Sequence, residues 1–396
     1  MTAPINPRLI DTATPPIPEA RAWIARYDGS RGPLIDLSQA APAVAPPPEM
    51  LERLAAAAAD PASARYGAIE GEASLREAYA RDVSETYGAF DFGVENIAIT
   101  AGCNQAFVVT AMTIAKAGDA IILPAPWYFN HKMALDMLGV EARPLDCTAQ
   151  NGFVPDVAAA EALIDERVRA IVLVTPNNPT GAIYPPETIS AFAELCRKRN
   201  IWLIIDETYR DFLPDGVDRP HNLLTREDWC DHAVQLYSFS KSYAIPGYRL
   251  GAILGGPAIM REIGKALDTL QICPSRVGQI ATAWAVEALR EWRADNRADI
   301  NARAAAFSDA MKHAPNWRIN SIGAYFAFVR HPFTNTPATR IAERLAIEQG
   351  VLALPGSWFG PGGEHHLRIA FANAPIDMLG QLPERLMALG ALKAAE

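Results

Sequence analysis

A lysine lies among hydroxyl-bearing residues between two short apolar runs in the second half of the chain. Lys241 follows the run 233–238, which predicts a buried strand, and precedes a second predicted strand at 248–254. A lysine held at a strand end loses its proton more readily than a solvated one, so it can act as an amine nucleophile towards a carbonyl compound. The pattern also fits a surface lysine in a serine-rich loop, and this stretch alone leaves both interpretations open.

A second stretch suits the binding of an anion. The predicted strand 97–100 runs into a glycine turn formed by Gly102, Cys103 and Asn104, and a helix is predicted to follow. Free backbone amides and the helix dipole at such a turn attract an anion such as a phosphate. An ordinary joint between a strand and a helix would have the same pattern.

Two further polar groups follow apolar runs. The segment 174–181 contains two prolines, a glycine and two adjacent asparagines, so a rigid turn could hold the amide of Asn178 towards a ligand. Asp206 comes directly after the apolar run 201–205. A buried carboxylate should meet a cation or a protonated ring nitrogen, because an unpaired buried charge is unfavourable. A helix N-cap is the alternative role for Asp206.

Together these groups suit a phosphorylated heteroaromatic aldehyde. Ser238, Ser240 and Arg249 lie close to Lys241 in the sequence and can donate hydrogen bonds to a phosphate. Pyridoxal 5′-phosphate is such an aldehyde: a lysine binds it as a Schiff base, and an acidic residue keeps its pyridine nitrogen protonated. The combination therefore predicts a pyridoxal-phosphate site.

Alternating apolar runs and helical patterns predict the elements that position these residues. Buried strands separated by helices indicate βαβ units and a largely parallel sheet with both faces covered. Ligands of such sheets bind at the carboxyl ends of the strands. The predicted strands are 97–100, 120–123, 170–174, 201–205 and 233–238.

The chain is expected to form two domains. Residues 1–48 are rich in proline and predict an extended arm with one short strand, and residues 49–290 are expected to form a large domain. Residues 291–396 suit a smaller α+β domain that the arm joins. One long helical stretch is predicted at about 279–311.

The composition is that of a globular protein with small-molecule partners. Half of the 396 residues are apolar and the net charge is −9, which disfavours nucleic acid and anionic membranes as partners. The five cysteines are scattered, so we expect free thiols and no metal site. His365 and His366 are expected to be a loop or surface pair, since adjacent residues of a strand face opposite sides. With no membrane-spanning run, a cytoplasmic location is expected.

In order and spacing, these motifs resemble those of the class I/II aminotransferases of the fold-type I pyridoxal-phosphate superfamily. The nearest branch is the aspartate, aromatic and kynurenine aminotransferase-like one, and the resemblance runs from Ser38 to Phe371. It implies an α/β fold with a mainly parallel, seven-stranded type of sheet in the large domain. The most specific motifs are Asn-Asn-Pro-Thr-Gly at 177–181, Asp-Glu-Thr-Tyr at 206–209, Ser-Phe-Ser-Lys at 238–241 with Arg249 beyond it, and 65–71 leading into Leu75 and Arg76.

The resemblance implies a role for each matched residue. Lys241 would be the Schiff-base lysine and the base that moves the substrate proton. Asp206 would pair with the pyridine nitrogen, while Asn178 and Tyr209 would bind the 3′ oxygen of the ring. The phosphate would be held by Gly102, Cys103, Asn104, Ser238, Ser240 and Arg249.

The resemblance also implies partners. Tyr66 matches a tyrosine that reaches the cofactor phosphate of the neighbouring subunit, which implies a homodimer with shared active sites. By spacing, Tyr128 is expected to stack on the pyridine ring in preference to Trp127. Arg368 matches the arginine that binds the substrate α-carboxylate, since a guanidinium can donate to both carboxylate oxygens at once. The substrate would be contacted by Arg368, Asn178 and Ala40.

Three departures from the family pattern bear on the substrate. Ala40 stands near where many members have a glycine beside the substrate carboxylate, so a methyl group intrudes or the loop differs. Cys103 stands where the family has a small or hydroxyl-bearing residue at the phosphate turn, so the backbone amides would have to supply more of the hydrogen bonds to the phosphate. The region 268–274 has no arginine where dicarboxylate-specific members have one, and Arg276 is only nearby. This argues against a strong preference for aspartate or glutamate.

We therefore expect an aminotransferase that moves an amino group between an amino acid and a 2-oxo acid by a ping-pong mechanism. A lyase, a decarboxylase or an oxidase with the same cofactor remains open, because sequence does not show which substrate bond the site activates. A non-enzymatic ligand-sensing regulator is disfavoured by the acidic balance and by the short, proline-rich arm, which predicts no helix-turn-helix. The sequence does not indicate the amino donor or acceptor.

Overall fold

The computed structural model describes residues 3–89, 92–217 and 219–390, which form an α/β protein as predicted. None of the described helices is long and apolar enough to span a membrane. The helices are α1 Pro7–Asp11, α2 Ile17–Ile24, α3 Pro48–Ala59, α4 Ala73–Tyr87, α5 Cys103–Ile114, α6 Phe129–Leu138, α7 Val157–Ala162, α8 Pro186–Arg199, α9 Trp229–His232, α10 Phe239–Ser242, α11 Pro257–Gln271, α12 Arg276–Ala288, α13 Arg290–Met311, α14 Ala338–Gln349 and α15 Ile376–Ala388. The strands are β1 Ile35–Asp36, β2 Ile97–Thr100, β3 Ala120–Ala125, β4 Glu141–Asp146, β5 Val168–Val174, β6 Trp202–Asp206, β7 Ala233–Ser238, β8 Gly251–Gly255, β9 Arg318–Gly323, β10 Phe326–Arg330, β11 Val351–Leu352, β12 Leu354–Pro355 and β13 His366–Ile369.

Within the described residues, the large sheet has seven strands in the order β2-β8-β7-β6-β5-β3-β4. The pairs from β7 to β4 are parallel, and β8 runs antiparallel to both of its neighbours. Ile171 and Leu173 pack into the hydrophobic cluster on one face, whereas Val172 packs into the cluster on the other. Both faces are therefore buried, which explains why these strands are almost continuously apolar.

The sheet brings four site-bearing turns to one edge. Strands β5, β6 and β7 are parallel, and β2 has the same direction because β8 is antiparallel to both β2 and β7. Their carboxyl ends therefore meet at the same edge of the sheet. Those ends are Thr100, Val174, Asp206 and Ser238.

A smaller antiparallel sheet, in the order β12-β13-β10-β9, is formed by the C-terminal part of the chain. The N-terminal segment packs against this part, since Ile35 of β1 pairs in parallel with Val351 of β11. Trp23 and Phe371 lie in the same hydrophobic cluster as that pair. These contacts fix the position of the residues that follow β1 and lead to the edge of the large sheet.

The expectation that the first 48 residues form an extended arm with one short strand is wrong in part, because this segment also contains α1 and α2. The side chain of Asn6 caps α1 by accepting a hydrogen bond from the amide of Arg8 at 3.1 Å. Pro7 and Pro18 lie in the first turns of the two helices, where a proline is tolerated because its missing N–H would be unpaired in any case. The prolines therefore mark helix starts.

Two further boundaries differ from the predictions. The helical stretch predicted at 279–311 is divided between α12 and α13, because Leu289 leaves helical geometry with φ −103° and ψ 25°. Strand β8 starts at Gly251, later than predicted, because Pro246–Tyr248 form a 3₁₀ turn and Arg249 has a positive φ of 53°. Strand β4 was not predicted, since it lies at the sheet edge and most of its side chains are at least partly exposed.

Arg385 of α15 joins the N-terminal segment to the C-terminal part of the chain. Its buried guanidinium donates to the carbonyl oxygens of Pro33 at 2.8 Å and Gly350 at 3.2 Å, just before β1 and β11. The change Arg385→Leu would remove the side-chain donor to the Pro33 carbonyl and one of the donors to the Gly350 carbonyl, which also accepts from the amide of Ile35 at 2.8 Å. We expect the free energy of unfolding to fall by about 2–4 kcal/mol, as measured by urea denaturation.

The control for this prediction is Arg340→Leu. Arg340 is largely exposed and pairs with Glu343 on the surface. Its loss should change the free energy of unfolding by less than about 1 kcal/mol. Equal losses in the two variants would contradict the anchoring role of Arg385.

Candidate active site

A cavity of about 380 Å³ lies at the carboxyl edge of the large sheet, where the N-terminal segment and β13 approach it. Tyr66 lies outside the cavity wall with 80% of its surface exposed, and Gly102 lies just behind the wall at the start of α5. The other predicted site residues line the cavity: Ala40, Cys103, Asn104, Tyr128, Asn178, Asp206, Tyr209, Ser238, Ser240, Lys241, Arg249 and Arg368.

Lys241 is the cavity's amine, and the alternative of a surface lysine is wrong. It lies in the short helix α10, whose N-cap is Ser238, and its Nζ donates to the carbonyl oxygen of Ala40. Burial, together with the positive charges of Arg249 and Arg368, lowers the pKa of Lys241 to about 8. About a tenth of this amine is therefore uncharged and nucleophilic at pH 7.

Asp206 is the cavity's carboxylate. Its Oδ2 lies 3.2 Å from Nε2 of His131, and its Oδ1 accepts hydrogen bonds from the hydroxyl and amide of Thr208 at 2.7 and 2.9 Å. Burial alone would raise the pKa of Asp206, but His131 and Thr208 outweigh it, so the pKa lies below the ordinary value. Asp206 is therefore a charged group available to a cationic ligand nitrogen.

His131 and Thr208 were not predicted as site residues. His131 is buried in the first turn of α6, and its ring stacks on Phe107 with centroids 3.9 Å apart. Helix α6 follows β3, so its start lies at the same carboxyl edge as the other site residues. A search for the partner of Asp206 at this edge would have found His131.

Arg368 and Arg249 supply the two guanidinium groups of the described cavity wall. Nη1 of Arg368 donates to Oδ1 of Asn178 at 3.1 Å and its Nη2 donates to the carbonyl of Ser38. The group lies over the rings of Phe326 and Phe359, 5.0 and 4.9 Å from their centroids. Burial lowers its pKa to about 10, so it stays a cation at neutral pH. Its Nε has no partner among the described residues, which leaves a donor for a carboxylate.

The start of α5 forms an anion cradle with the loop after α10. The first backbone bonds of α5 run to the carbonyl of Gly102, so the amides of Cys103 and Asn104 precede them. Gly102 has a φ of 83°, and a Cβ there would collide with the guanidinium of Arg249. The hydroxyl of Ser240 is buried and lacks a partner within the described ranges. These donors converge on a place suited to a phosphate.

Aromatic residues complete the wall, among them Tyr128 and Tyr209. Tyr128 precedes α6, and its hydroxyl accepts a hydrogen bond from the side chain of Asn130 at 2.9 Å. Trp127 lies instead against Gly360, away from the cavity wall. Tyr209 is buried, and burial raises the pKa of its hydroxyl well above the usual value, so this group remains a hydrogen-bond donor.

The expectation that His365 and His366 form a loop or surface pair is wrong for His366. This residue is buried in β13, which lies between β12 and β10. Its ring stacks on Phe328 with centroids 4.7 Å apart, and its Nε2 is 3.0 Å from Oδ1 of Asn320. The central place of β13 in its sheet, which sequence alone did not indicate, accounts for the burial.

The lowered pKa of Lys241 predicts an unusual reactivity towards amine reagents. Labelling by brief pulses of acetic anhydride should follow the uncharged fraction of the amine, rising with pH and levelling off above a pKa of about 8. A solvated lysine should keep gaining reactivity towards a pKa of about 10.4. Peptide mass spectrometry measures both profiles in one sample. A Lys241 profile that still rises through about pH 10 would contradict the lowered pKa.

Comparison with known proteins identifies the family of this chain. The family model "Aminotransferase class I and II" matches residues 32–386. A valine–pyruvate aminotransferase of Mycobacterium tuberculosis is 30% identical over 386 residues, which cover 95% of this chain and 96% of that protein. An aromatic aminotransferase of Arabidopsis thaliana is 27% identical over 376 residues, which cover 93% and 92% of the two chains.

Solved structures show the same fold. Substrate-bound BacF of Bacillus subtilis aligns with a TM-score of 0.90 at 24% identity, over 99% of this chain and 100% of that one. The aspartate aminotransferase of Thermus thermophilus with maleate aligns with a TM-score of 0.88 at 24% identity, over 97% and 99%. Because the family model covers most of its length, this chain belongs to the class I and II aminotransferases of fold-type I and is an enzyme that transfers amino groups.

Proposed function

We propose that this enzyme uses pyridoxal 5′-phosphate to move an amino group between an amino acid and a 2-oxo acid in a ping-pong cycle. The observation that carries the proposal is the convergence of Lys241, Asp206 and Arg368 on one cavity. They supply a nucleophilic amine, a charged carboxylate and a guanidinium with an unpaired donor. When bound, the cofactor supplies an aldehyde that condenses with amines and a ring that withdraws electrons from the substrate.

The residues of the cavity fit this cofactor at both ends. The unpaired hydroxyl of Ser240, the guanidinium of Arg249 and the first amides of α5 are donors for its phosphate. Asp206 stays charged beside His131, which suits a protonated pyridine nitrogen. Asn178 and Tyr209 line the wall between these ends and would bind the 3′ oxygen.

Lys241 also suits the proton transfer. With cofactor and substrate bound, the free amine of Lys241 would accept the proton from the substrate Cα and later return it. A pKa near 8 suits both directions, since an effective acid–base group has a pKa close to the working pH. Asp206 holds its negative charge throughout, because His131 and Thr208 stabilise its ionised form.

Arg368 would bind the α-carboxylate of the substrate, with Asn178 orienting the guanidinium. The substrate side chain would lie towards Ile17, Ala40 and Phe129, which line the same cavity. The cationic side chains in the described wall are Lys241, Arg249 and Arg368, and all three already have a role. We therefore infer a preference for amino acids with uncharged side chains.

The enzyme is proposed to act as a homodimer in the cytoplasm. Tyr66 is 80% exposed, and Tyr248, Leu270 and Ile272 are also exposed although they are large and hydrophobic. A partner subunit would cover such residues, and the Tyr66 of each subunit would reach the anion cradle of the other. The five cysteines are unpaired in the described chain, which suits a reducing compartment.

A single-turnover experiment tests the proposed reaction. The cofactor-loaded protein is mixed with one amino acid and no 2-oxo acid, and the bound cofactor is analysed by chromatography. Transamination should leave pyridoxamine 5′-phosphate and release the matching 2-oxo acid. Release of ammonia, carbon dioxide or hydrogen peroxide without pyridoxamine 5′-phosphate would contradict it and indicate a lyase, a decarboxylase or an oxidase.

The same reaction identifies the catalytic amine. Lys241→Ala should slow the half-reaction by at least about 10²–10⁴-fold, because it removes the proton-transfer group. Lys132→Ala is the control, since Lys132 pairs with Asp136 and does not line the cavity. Equal rates in the two variants would contradict the assignment of Lys241 as the catalytic amine.

Arg368→Lys tests the carboxylate site. A lysine makes only single contacts where the guanidinium makes several, so kcat/KM for an uncharged amino acid should fall by about 10²-fold. Arg276→Lys is the matched control, because Arg276 binds Glu72 and does not line the cavity. It should leave kcat/KM within about twofold of the unaltered enzyme. An unchanged kcat/KM in Arg368→Lys would mean that another group binds the carboxylate.

A further inference from the structure

The residue after Lys241 belongs to a separate hydrogen-bonded group below the cavity wall. Oδ2 of Asp211 accepts hydrogen bonds from the hydroxyl of Ser242 at 2.5 Å and from the hydroxyl of Tyr237 at 2.7 Å. The two hydroxyl oxygens are themselves 2.9 Å apart. Each of the three residues thus contacts the other two, and we call them the Asp211 triangle.

The Asp211 triangle joins three segments that carry the site. Tyr237 is in β7, Ser242 is the last residue of α10, and Asp211 lies shortly after β6. The segment from Asp206 to Asp211 is held in tight turns, since the amide of Arg210 donates to the carbonyl of Glu207 at 3.1 Å. The segment that contains Asp206 therefore also contains Asp211, which binds α10, the helix of Lys241.

Helix α10 depends on such contacts. It is four residues long, and isolated helices of that length are not stable because the first turn is unfavourable to form. A 3₁₀ turn and a positive φ at Arg249 follow it, so the chain after α10 is not a long regular element either. Backbone bonds such as the one from the amide of Phe239 to the carbonyl of Leu250 hold α10 at its start, and the hydroxyl of Ser242 adds a side-chain bond to a charged acceptor at its end.

Asp211 is kept charged by its surroundings. Burial alone would raise its pKa, but the guanidiniums of Arg210 and Arg293 and the two hydroxyl donors outweigh this, so the pKa of Asp211 lies below its ordinary value. Arg293 of α13 lies 3.5 Å from Oδ1 of Asp211 and 2.9 Å from Asp82. It also lies over the ring of Tyr243, 5.5 Å from the centroid, just beyond α10. A charged acceptor strengthens the bond to Ser242.

We propose that Asp211 is a positioning residue that holds the amine of Lys241 in place for bonding to the cofactor. Asp211, Tyr237 and Ser242 do not line the cavity, so their effect passes through the backbone of α10. The inference rests on the proposed function, because it takes Lys241 to be the residue that bonds the cofactor. Loss of the triangle should slow that bonding without weakening the non-covalent pocket.

Two ligands distinguish covalent bonding to Lys241 from non-covalent binding in the pocket. Pyridoxal 5′-phosphate added to the cofactor-free protein condenses with the Lys241 amine, releasing water, and borohydride then reduces the resulting C=N bond to a stable C–N bond. The rate of adduct formation on the Lys241 peptide is followed by mass spectrometry. Pyridoxamine 5′-phosphate has no aldehyde, so its Kd measures the pocket without the bond. Ser242→Ala and Tyr237→Phe should each slow adduct formation by about tenfold and change that Kd by less than about twofold.

Two control variants make the comparison specific. Ser242→Thr keeps the hydroxyl and should restore the rate to within about threefold of the unaltered protein. Tyr87→Phe removes an equally buried phenol hydroxyl that donates to Glu207 at 2.5 Å and makes no hydrogen bond to the Asp211 triangle among the described residues. It should bond the cofactor at the normal rate.

Each contrary outcome has a distinct meaning. Normal adduct rates in both Ser242→Ala and Tyr237→Phe would overturn the positioning role. Matched losses of adduct rate and of pyridoxamine 5′-phosphate affinity would also overturn it, because they indicate general damage to the pocket. An unaltered protein that forms its adduct on another lysine, or forms none, would overturn the proposed function and this inference with it.

Discussion

A buried amine lies beside two guanidinium groups, and this arrangement determines which ligands and which chemistry the cavity favours. Lys241, Arg249 and Arg368 line one cavity whose wall carries a single described carboxylate, Asp206. The chain as a whole has a net charge of −9, so this cavity is a local concentration of positive charge. Repulsion and burial make the lysine easy to deprotonate, and anionic ligands are the complement that such a cavity favours.

The fold supplies the rigidity that this arrangement requires. Buried parallel strands end at one edge, so the anion cradle, Asn178, Asp206 and the helix of Lys241 come from elements packed on both faces. Arg368 comes from the second sheet and reaches the same cavity beside the segment after β1. Arg368 in β13 and Lys241 in α10, the helix that follows β7, therefore depend on different sheets, and the packing between these two parts sets their relative position.

The sequence predicted the parts of this site that local pattern controls. Continuous apolar runs located the buried strands, and the polar residues just after them, such as Asp206 and Lys241, were found in the cavity. Contacts between distant segments were not predictable in this way. His131 pairs with Asp206, and Asp211 with Ser242, only because neighbouring elements bring them together. The break between α12 and α13 also lacks a proline or glycine to mark it.

A crystal structure of the protein soaked with pyridoxal 5′-phosphate would show which lysine bonds the cofactor and how the ring lies. We expect continuous electron density from Nζ of Lys241 to the cofactor. We also expect the pyridine nitrogen within roughly 2.7–3.2 Å of the Asp206 carboxylate and the phosphate at the start of α5. Density that joins the cofactor to another lysine, or a ring whose nitrogen faces away from Asp206, would contradict these expectations.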